Sequence, residues 1–327
     1  MTNVNVAVIG CGHWGKNLVR NFRKLGALQM VCDTAEAGRR RASEIAPRVE
    51  IVTHVNAVLN APVDGVVIAT PSDTHYDLVR RALAAGKDVF CEKPLALSYE
   101  RGEKLVQLAN RQRQILMLGH ILEYHPGVVQ LLSLVRNGEL GQLRYILARR
   151  FGFGPIRAEG NVLWDFSWHD VTVVLRMIDD MPTRVSAYGS SHLRPGITDT
   201  ATMNLQYDSG AQAFILASWL YPFKEQRMVA VGSDKMVCFD DVEKQLTLYN
   251  HHVELHGAES TLTRGQEETI PFPDDEPLLL ECKAFSSAMQ TRQSPLADGA
   301  SGLRALQVLH AAQTSLETNG TPVNISS

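Results

Sequence analysis

Along the first third of the chain, short apolar runs alternate with segments whose apolar residues recur at helical spacing. The runs are "VNVAVIG", "LQMVCD", "VDGVVIAT", "KDVFCE" and "QILMLGH". Between them lie "HWGKNLVRNFRKLG", "AEAGRRRASEIA", "HYDLVRRALAAG" and "YERGEKLVQLANRQ". Strands alternating with helices of roughly 10 to 15 residues predict βαβ units and a parallel sheet. The runs are apolar almost without interruption, as strands are when helices cover both faces of a sheet. This pattern defines a first domain over residues 1–120.

Beyond it the period changes. The segment "PGVVQLLSLVRNGEL" predicts a helix closed by "GELG", and longer alternating segments follow: "LRYILARRFGF", "TRVSAYGSSHL", "ATMNLQYDSGAQAFILASWL", "MVAVGSDKMVCFDD" and "QLTLYNHHVELH". "YDSGAQ" and "VGSDKM" have the composition of hairpin turns. Further helices are expected at "HDVTVVLRMI", "LLLECKAFSSAMQ" and "GLRALQVLHAAQTSL". The fold class is therefore α/β, with a parallel sheet, followed by an α+β domain over residues 121–327 built on a large, mostly antiparallel open sheet.

Composition narrows the function classes. Of 327 residues, 45% are hydrophobic and 20% charged, with a net charge of -3, which is ordinary for a globular chain with a sizeable core. Nothing in that balance calls for nucleic acid or an anionic membrane. The one dense basic run, Arg39 to Arg41, reads as a solvated helix face. Five scattered cysteines without a C-x-x-C pair point to reduced thiols in a cytoplasm and away from a disulfide framework or zinc. His251, His252 and His256 in "HHVELH" lack an acid pair nearby, so no metal is expected there. No apolar run reaches the roughly 18 residues of a spanning helix. The N-terminus has no signal-peptide pattern.

Four motifs carry chemistry. In "VIGCGHWG", Gly10, Gly12 and Gly15 follow a strand and open a helix, and Asp33 ends the next strand. Glycines so placed allow a tight turn and close approach to a pyrophosphate, while the acid accepts hydrogen bonds from the adenosine ribose. This is a Rossmann signature. A carboxylate at Asp33 favours NAD over NADP, although Arg39 to Arg41 leave NADP as the lesser alternative. "ATPSDTH" follows another strand, with Ser72, Asp73 and Thr74 able to cap a helix and His75 either facing the cofactor or lying on the surface. "EKP" leaves the next strand at the same carboxyl edge, and Pro94 turns the chain so as to present Lys93. A lysine there serves equally as a hydrogen-bonding or proton-sharing group and as a surface ion-pair partner. In "DFSWHD", Ser167 and Asp170 form a candidate capping box that places His169 in a helix's first turn, one turn after Asp165.

In this order and spacing, "VIGCGHWG", "ATPSDTH", "EKP" and "DFSWHD" resemble the glucose–fructose oxidoreductase / inositol dehydrogenase / MocA family over essentially the whole chain. The resemblance implies an NAD-binding Rossmann domain and a substrate-binding, oligomerising second domain. It implies Lys93 and His169 as catalytic groups, with Asp165 assisting. The implied cofactor site takes in the loop residues His13 and Trp14 with the glycines, then Thr34 beside Asp33. It also takes in Ala69, Thr70, Pro71 and His75, and finally Glu92 with Lys93. "GHWGKNLVRNF", "GHILEYHPGV", "NVLWDFSWHD", "SSHLRPGITD" and "SGLRALQVLHAAQTSL" are most similar to nucleotide-sugar 3-dehydrogenases acting on UDP-N-acetylglucosamine, whose 3-keto product passes to an aminotransferase in lipid A and lipopolysaccharide precursor synthesis. Ser167 and Ser72 depart from the family's usual glycine and asparagine.

Arg149, Arg150, Arg157 and Arg194 are candidates for the substrate diphosphate, and His120, Tyr124 and Asn161 for the sugar. A homodimer or homotetramer in the cytoplasm is the implied state. Two alternatives remain: a dehydrogenase or ketoreductase of another nucleotide sugar, free sugar or inositol, and a non-catalytic NAD-binding regulator on the same fold.

Overall fold

The structure, a computed structural model, describes residues 4–154, 156–157 and 160–325. These form two compact units: one of the residues up to Tyr124 together with Asp275–Leu306, the other of His125–Asp274 together with the residues from Gln307 on.

The first unit runs β1 Val6–Ile9, α1 Gly15–Lys24, β2 Leu28–Cys32, α2 Glu36–Ile45, β3 Glu50–Val52, α3 Val55–Asn60, β4 Gly65–Ile68, α4 His75–Ala84, β5 Asp88–Cys91, α5 Tyr99–Gln112 and β6 Leu116–Leu118. All six strands are parallel, in the order β3-β2-β1-β4-β5-β6. Every residue of β1, β4 and β5 is buried, which explains their unbroken apolar sequences. Strand order reverses direction between β1 and β4, so the loops after these two strands open the crevice where open α/β sheets bind ligands. β3 and α3 were not expected: "EIV" is too short and too exposed to stand out as an apolar run.

The second unit begins with α6 Pro126–Arg136, β7 Leu143–Phe153 and α7 Trp168–Ile178. Then come β8 Arg184–Ser190, β9 Thr200–Gln206, β10 Gln212–Ser218, β11 Leu220–Gly232, β12 Met236–Asp240, β13 Gln245–His256 and β14 Glu259–Thr269. The chain closes with α8 Pro277–Thr291, α9 Gly299–Glu317 and β15 Val323–Asn324. A nine-stranded sheet is ordered β14-β13-β12-β11-β7-β10-β9-β8-β15 and is antiparallel except where β10 meets β7. Both expected hairpin turns form, one with Gly210 at φ +83° between β9 and β10, the other between β11 and β12.

α8 corrects the sequence reading, which gave it to the second domain. Its residues Leu278, Cys282, Phe285 and Met289 pack into the core of the first unit with Val6, Val8, Phe22 and Phe90. Phe285 sets its ring edge-on to Phe22, with centroids 6.4 Å apart, and tilted against Phe90 at 5.8 Å.

Candidate functional site

In the first unit the glycine-rich loop is shaped by its neighbours. Gly10 sits at φ +95°, and a Cβ there would meet the Ala69 carbonyl, while one on Gly15 would collide with the Gly10 carbonyl. A Cβ on Gly12 would meet nothing within 4 Å. Two glycines thus serve packing, and the third leaves open space where a pyrophosphate would come against the backbone. Gly10, Gly12, Asp33, Arg41, Thr70 and Leu78 help line a cavity of about 730 Å³ at the carboxyl edge of the sheet. The Asp33 carboxylate is oriented by two backbone donors, Cys11 N–H at 2.7 Å and Ala35 N–H at 2.8 Å, and rests against Gly38. These features fit the adenosine and pyrophosphate of NAD. Thr34 also lines the cavity, as do Ala69 and Pro71, whereas His13 does not.

The basic run is divided. Arg40 is exposed and pairs with Glu36, as expected of a solvated face. Arg39 donates to the Asp33 and Thr34 carbonyls and Arg41 to the Cys11 carbonyl, so these two brace the loops. Gly38 and the bracing role of Arg41 escaped the sequence reading, because each acts through a contact across the strand end that no motif encodes.

His75 is not at the surface. It is 1% exposed, with Nδ1 2.7 Å from the Pro94 carbonyl and Nε2 2.9 Å from the Thr70 carbonyl. One ring ties the loop after β4 to the loop that carries Lys93. Burial lowers its pKa against the raising effect of the two carbonyls. None of Ser72, Asp73 and Thr74 caps α4 through its side chain; the Thr74 hydroxyl instead donates to the Pro71 carbonyl at 2.7 Å.

Lys93 follows β5, and the Lys93–Pro94 peptide is cis. Its neighbour Glu92 accepts a hydrogen bond from the Trp14 indole and from the Lys93 backbone N–H, and presses against Gly119. Trp14 thereby joins the glycine-rich loop to the lysine loop. Burial raises the Glu92 pKa to about 7, against the lowering effects of the Trp14 bond and the Lys93 charge. A carboxyl whose folded pKa lies above its ordinary 4.5 stabilises the fold below that value, and loses the stabilisation as pH rises through about 7. Melting temperature should therefore fall between those limits in the wild type and fall less in Glu92→Gln, as thermal unfolding at a series of pH values will read.

In the second unit Asp165 and His169 stand at the start of α7. The preceding residues, Leu163–Ser167, form a π-helical turn that runs directly into it, an arrangement frequent at functional sites. The expected capping box does not form. Ser167 is already in helical conformation at φ -69° and ψ -19°, so its hydroxyl cannot reach forward to cap. Asp170 is taken by Arg150 in a buried bidentate pair, both bonds 2.9 Å. Burial works to lower the Arg150 pKa, but Asp170 outweighs it and raises it overall. His169 nevertheless lies in the first turn of α7, as the spacing predicts.

Asp165 accepts from Arg157 at 3.2 and 3.4 Å and from the Trp219 indole at 3.2 Å. Arg149 pairs with Glu225 at 3.1 Å, and Arg194 lies in an isolated bridge with Ile197. Asn161 is 8% exposed, and its Oδ1 accepts from the backbone of Leu163 and Trp164. The other two residues expected at the sugar belong to the first unit and are buried: His120 against Glu123, and Tyr124 with its hydroxyl accepting from Ala297 N–H. Among the described residues no three His, Cys, Asp or Glu stand together as a metal-binding group, and no helix is long and apolar enough to cross a membrane.

Comparison with known proteins bears on both units. Residues 4–120 match the model of the GFO_IDH_MocA oxidoreductases with an NAD-binding Rossmann fold, and residues 128–238 match the GFO/IDH/MocA C-terminal domain. A UDP-N-acetylglucosamine 3-dehydrogenase of Acidithiobacillus ferrooxidans is 28% identical over 97% of this chain and all of its own. Its solved structure superposes with a TM-score of 0.86, at 26% identity, covering 97% of this chain and 99% of that one. A scyllo-inositol 2-dehydrogenase (NAD(+)) of Bacillus subtilis is 27% identical over 98% of this chain and 96% of its own. An Agrobacterium radiobacter oxidoreductase solved with NAD+, L-tartaric acid and magnesium shares the fold, with a TM-score of 0.84 at 18% identity over 99% of this chain and 98% of that one.

Proposed function

The chain belongs to the GFO/IDH/MocA family of NAD-dependent oxidoreductases, and we propose that it oxidises the C3 hydroxyl of UDP-N-acetylglucosamine to the 3-keto sugar nucleotide. The observation that carries the oxidoreductase chemistry is the lysine loop, tied by the Trp14–Glu92 bond to the glycine-rich loop at the carboxyl edge of the sheet. NAD+, when bound, supplies the hydride acceptor. Gly10, Gly12 and Asp33 would hold its pyrophosphate and ribose. Lys93 donates a hydrogen bond to the substrate hydroxyl and stabilises the charge that develops on its oxygen. His169 takes the hydroxyl proton as general base. Asp165 orients the site, itself held by Arg157 and Trp219.

Full-length likeness to the UDP-N-acetylglucosamine enzyme supports the substrate. The nearly equal likeness to an inositol dehydrogenase supports the second reading, oxidation of inositol or a free sugar with the same groups. In the first reading an aminotransferase consumes the 3-keto product in lipid A or lipopolysaccharide precursor synthesis, and the enzyme is a cytoplasmic homodimer or homotetramer.

The test is NADH formation from UDP-N-acetylglucosamine, with an aminotransferase and glutamate drawing off the product, beside UDP-glucose, glucosamine and inositols. Reduction specific to UDP-N-acetylglucosamine supports the proposal, whereas reduction with inositol alone replaces it by the second reading. Asp33→Ala should weaken NAD binding about 10- to 100-fold, the value of a hydrogen bond to a charged group, as read by calorimetric titration.

A further inference from the structure

The π turn that carries Asp165 hangs on a residue about 150 positions further along the chain. Asn161 Oδ1 opens the turn by accepting from Leu163 N–H at 3.1 Å and Trp164 N–H at 3.3 Å, and the Asn161 carbonyl accepts from Asp165 N–H at 3.1 Å. The side-chain amide of Asn161 then donates to Gln313 Oε1 at 2.8 Å. The Trp164 indole N–H donates to that same oxygen at 3.0 Å. Both acceptor sites of one carbonyl are thus filled, one by Trp164 within the turn and one by Asn161 two residues before it. Gln313 is fixed in its own place by donating to Glu317 at 2.8 Å, one turn along α9. His310, one turn earlier, sets its ring edge-on to Trp164 with centroids 5.1 Å apart.

A π turn holds one residue more than the α-helix it interrupts. If it annealed to α geometry, everything before it would rotate by roughly 100° about the axis relative to everything after it. Asp165 lies within the turn and His169 after it, so their relative facing depends on the turn keeping its register.

We propose that Gln313 is a positioning residue: by accepting from both Asn161 and Trp164 it holds Leu163–Ser167 in π register and so fixes the directions of Asp165 and His169. Only a side chain that offers two acceptor sites and no competing donor at that point can do this, which suits Gln or Glu and excludes Leu, Lys and Arg. The inference rests on the proposed role of Asp165 and His169.

The test compares Gln313→Leu with the exchange Q313E/E317Q, which restores an acceptor at position 313 and keeps the net charge. In Gln313→Leu, kcat should fall about 10- to 100-fold, as when outer-shell partners are lost, with NAD affinity unchanged because the dinucleotide site lies in the other unit. The exchange variant should recover most of that loss. A nitrogen-15 spectrum of the tryptophan indoles reads the clamp without any substrate: the Trp164 N–H signal should move in the Leu variant and return in the exchange variant. A kcat within two-fold of wild type in folded Gln313→Leu, an unmoved Trp164 signal, or a loss that the exchange fails to recover would each overturn the proposal. A wild type inactive on UDP-N-acetylglucosamine but with the expected indole behaviour would overturn the substrate reading and leave the clamp standing.

Discussion

Lys93→Met should lower turnover by about 10²- to 10⁴-fold, the range lost when a positioned proton donor or acceptor is removed, while the protein still binds NAD. Methionine keeps the length and most of the apolar stem of lysine but offers no N–H to the substrate oxygen. The loop that carries it stays tied at other points. His75 holds the Pro94 carbonyl, and Glu92 holds the Trp14 indole. Steady-state kinetics beside a calorimetric NAD titration separates the two effects. Turnover within ten-fold of wild type would remove Lys93 from the chemistry, and loss of NAD binding in step with activity would make it a structural residue.

The second large effect is on stability. Phe285→Ala should cost about 3–5 kcal/mol, as aromatic deletions from a packed core do. The ring is fully buried and bridges Phe22 of α1 and Phe90 of β5, and a Cβ on Gly65 of β4 would already crowd it. Urea unfolding monitored through NAD binding reads the first unit directly. A cost under about 1 kcal/mol would mean that α8 does not belong to that core, since few substitutions of a buried ring are so mild.

That helix shows where sequence reading reaches its limit. The helical spacing of Leu278, Cys282, Phe285 and Met289 announces α8, but a period says only that one face is buried, not against what. Because the chain passes through the second unit before α8, order along the sequence misplaces it. β14 was missed for the opposite reason. "ESTLTRGQEET" is exposed along nearly its whole length and paired only to β13, so no apolar alternation marks it. β1, β4 and β5, buried on both faces, could hardly be missed.

The site divides in the same way. The glycine-rich turn and the acid at the end of β2 were legible because close backbone packing at Gly10 and Gly15 restricts residue type at fixed spacing, with Asp33 oriented beside them by the Cys11 and Ala35 N–H groups. The placement of His75 was not legible, because a histidine beside a helix start reads the same whether it faces a ligand or bridges two carbonyls. Ser167 and Asp170 spell a capping box, yet the π turn before them puts Ser167 in helical geometry and the buried Arg150 claims Asp170. The partners of Asp165, namely Arg157 and Trp219, and the Gln313 clamp on its turn arise from tertiary contacts, over as many as about 150 positions, that no local pattern encodes.

In the proposed reaction hydride leaves C3 of a sugar nucleotide. UDP-N-acetylglucosamine carrying deuterium at C3, incubated with the enzyme, NAD+ and the aminotransferase couple, puts that to direct measurement by mass spectrometry of the reduced cofactor. The predicted result is one deuterium in the reduced nicotinamide and slower turnover than with unlabelled substrate. Reduced cofactor without deuterium, or none at all while an inositol is oxidised, would contradict it.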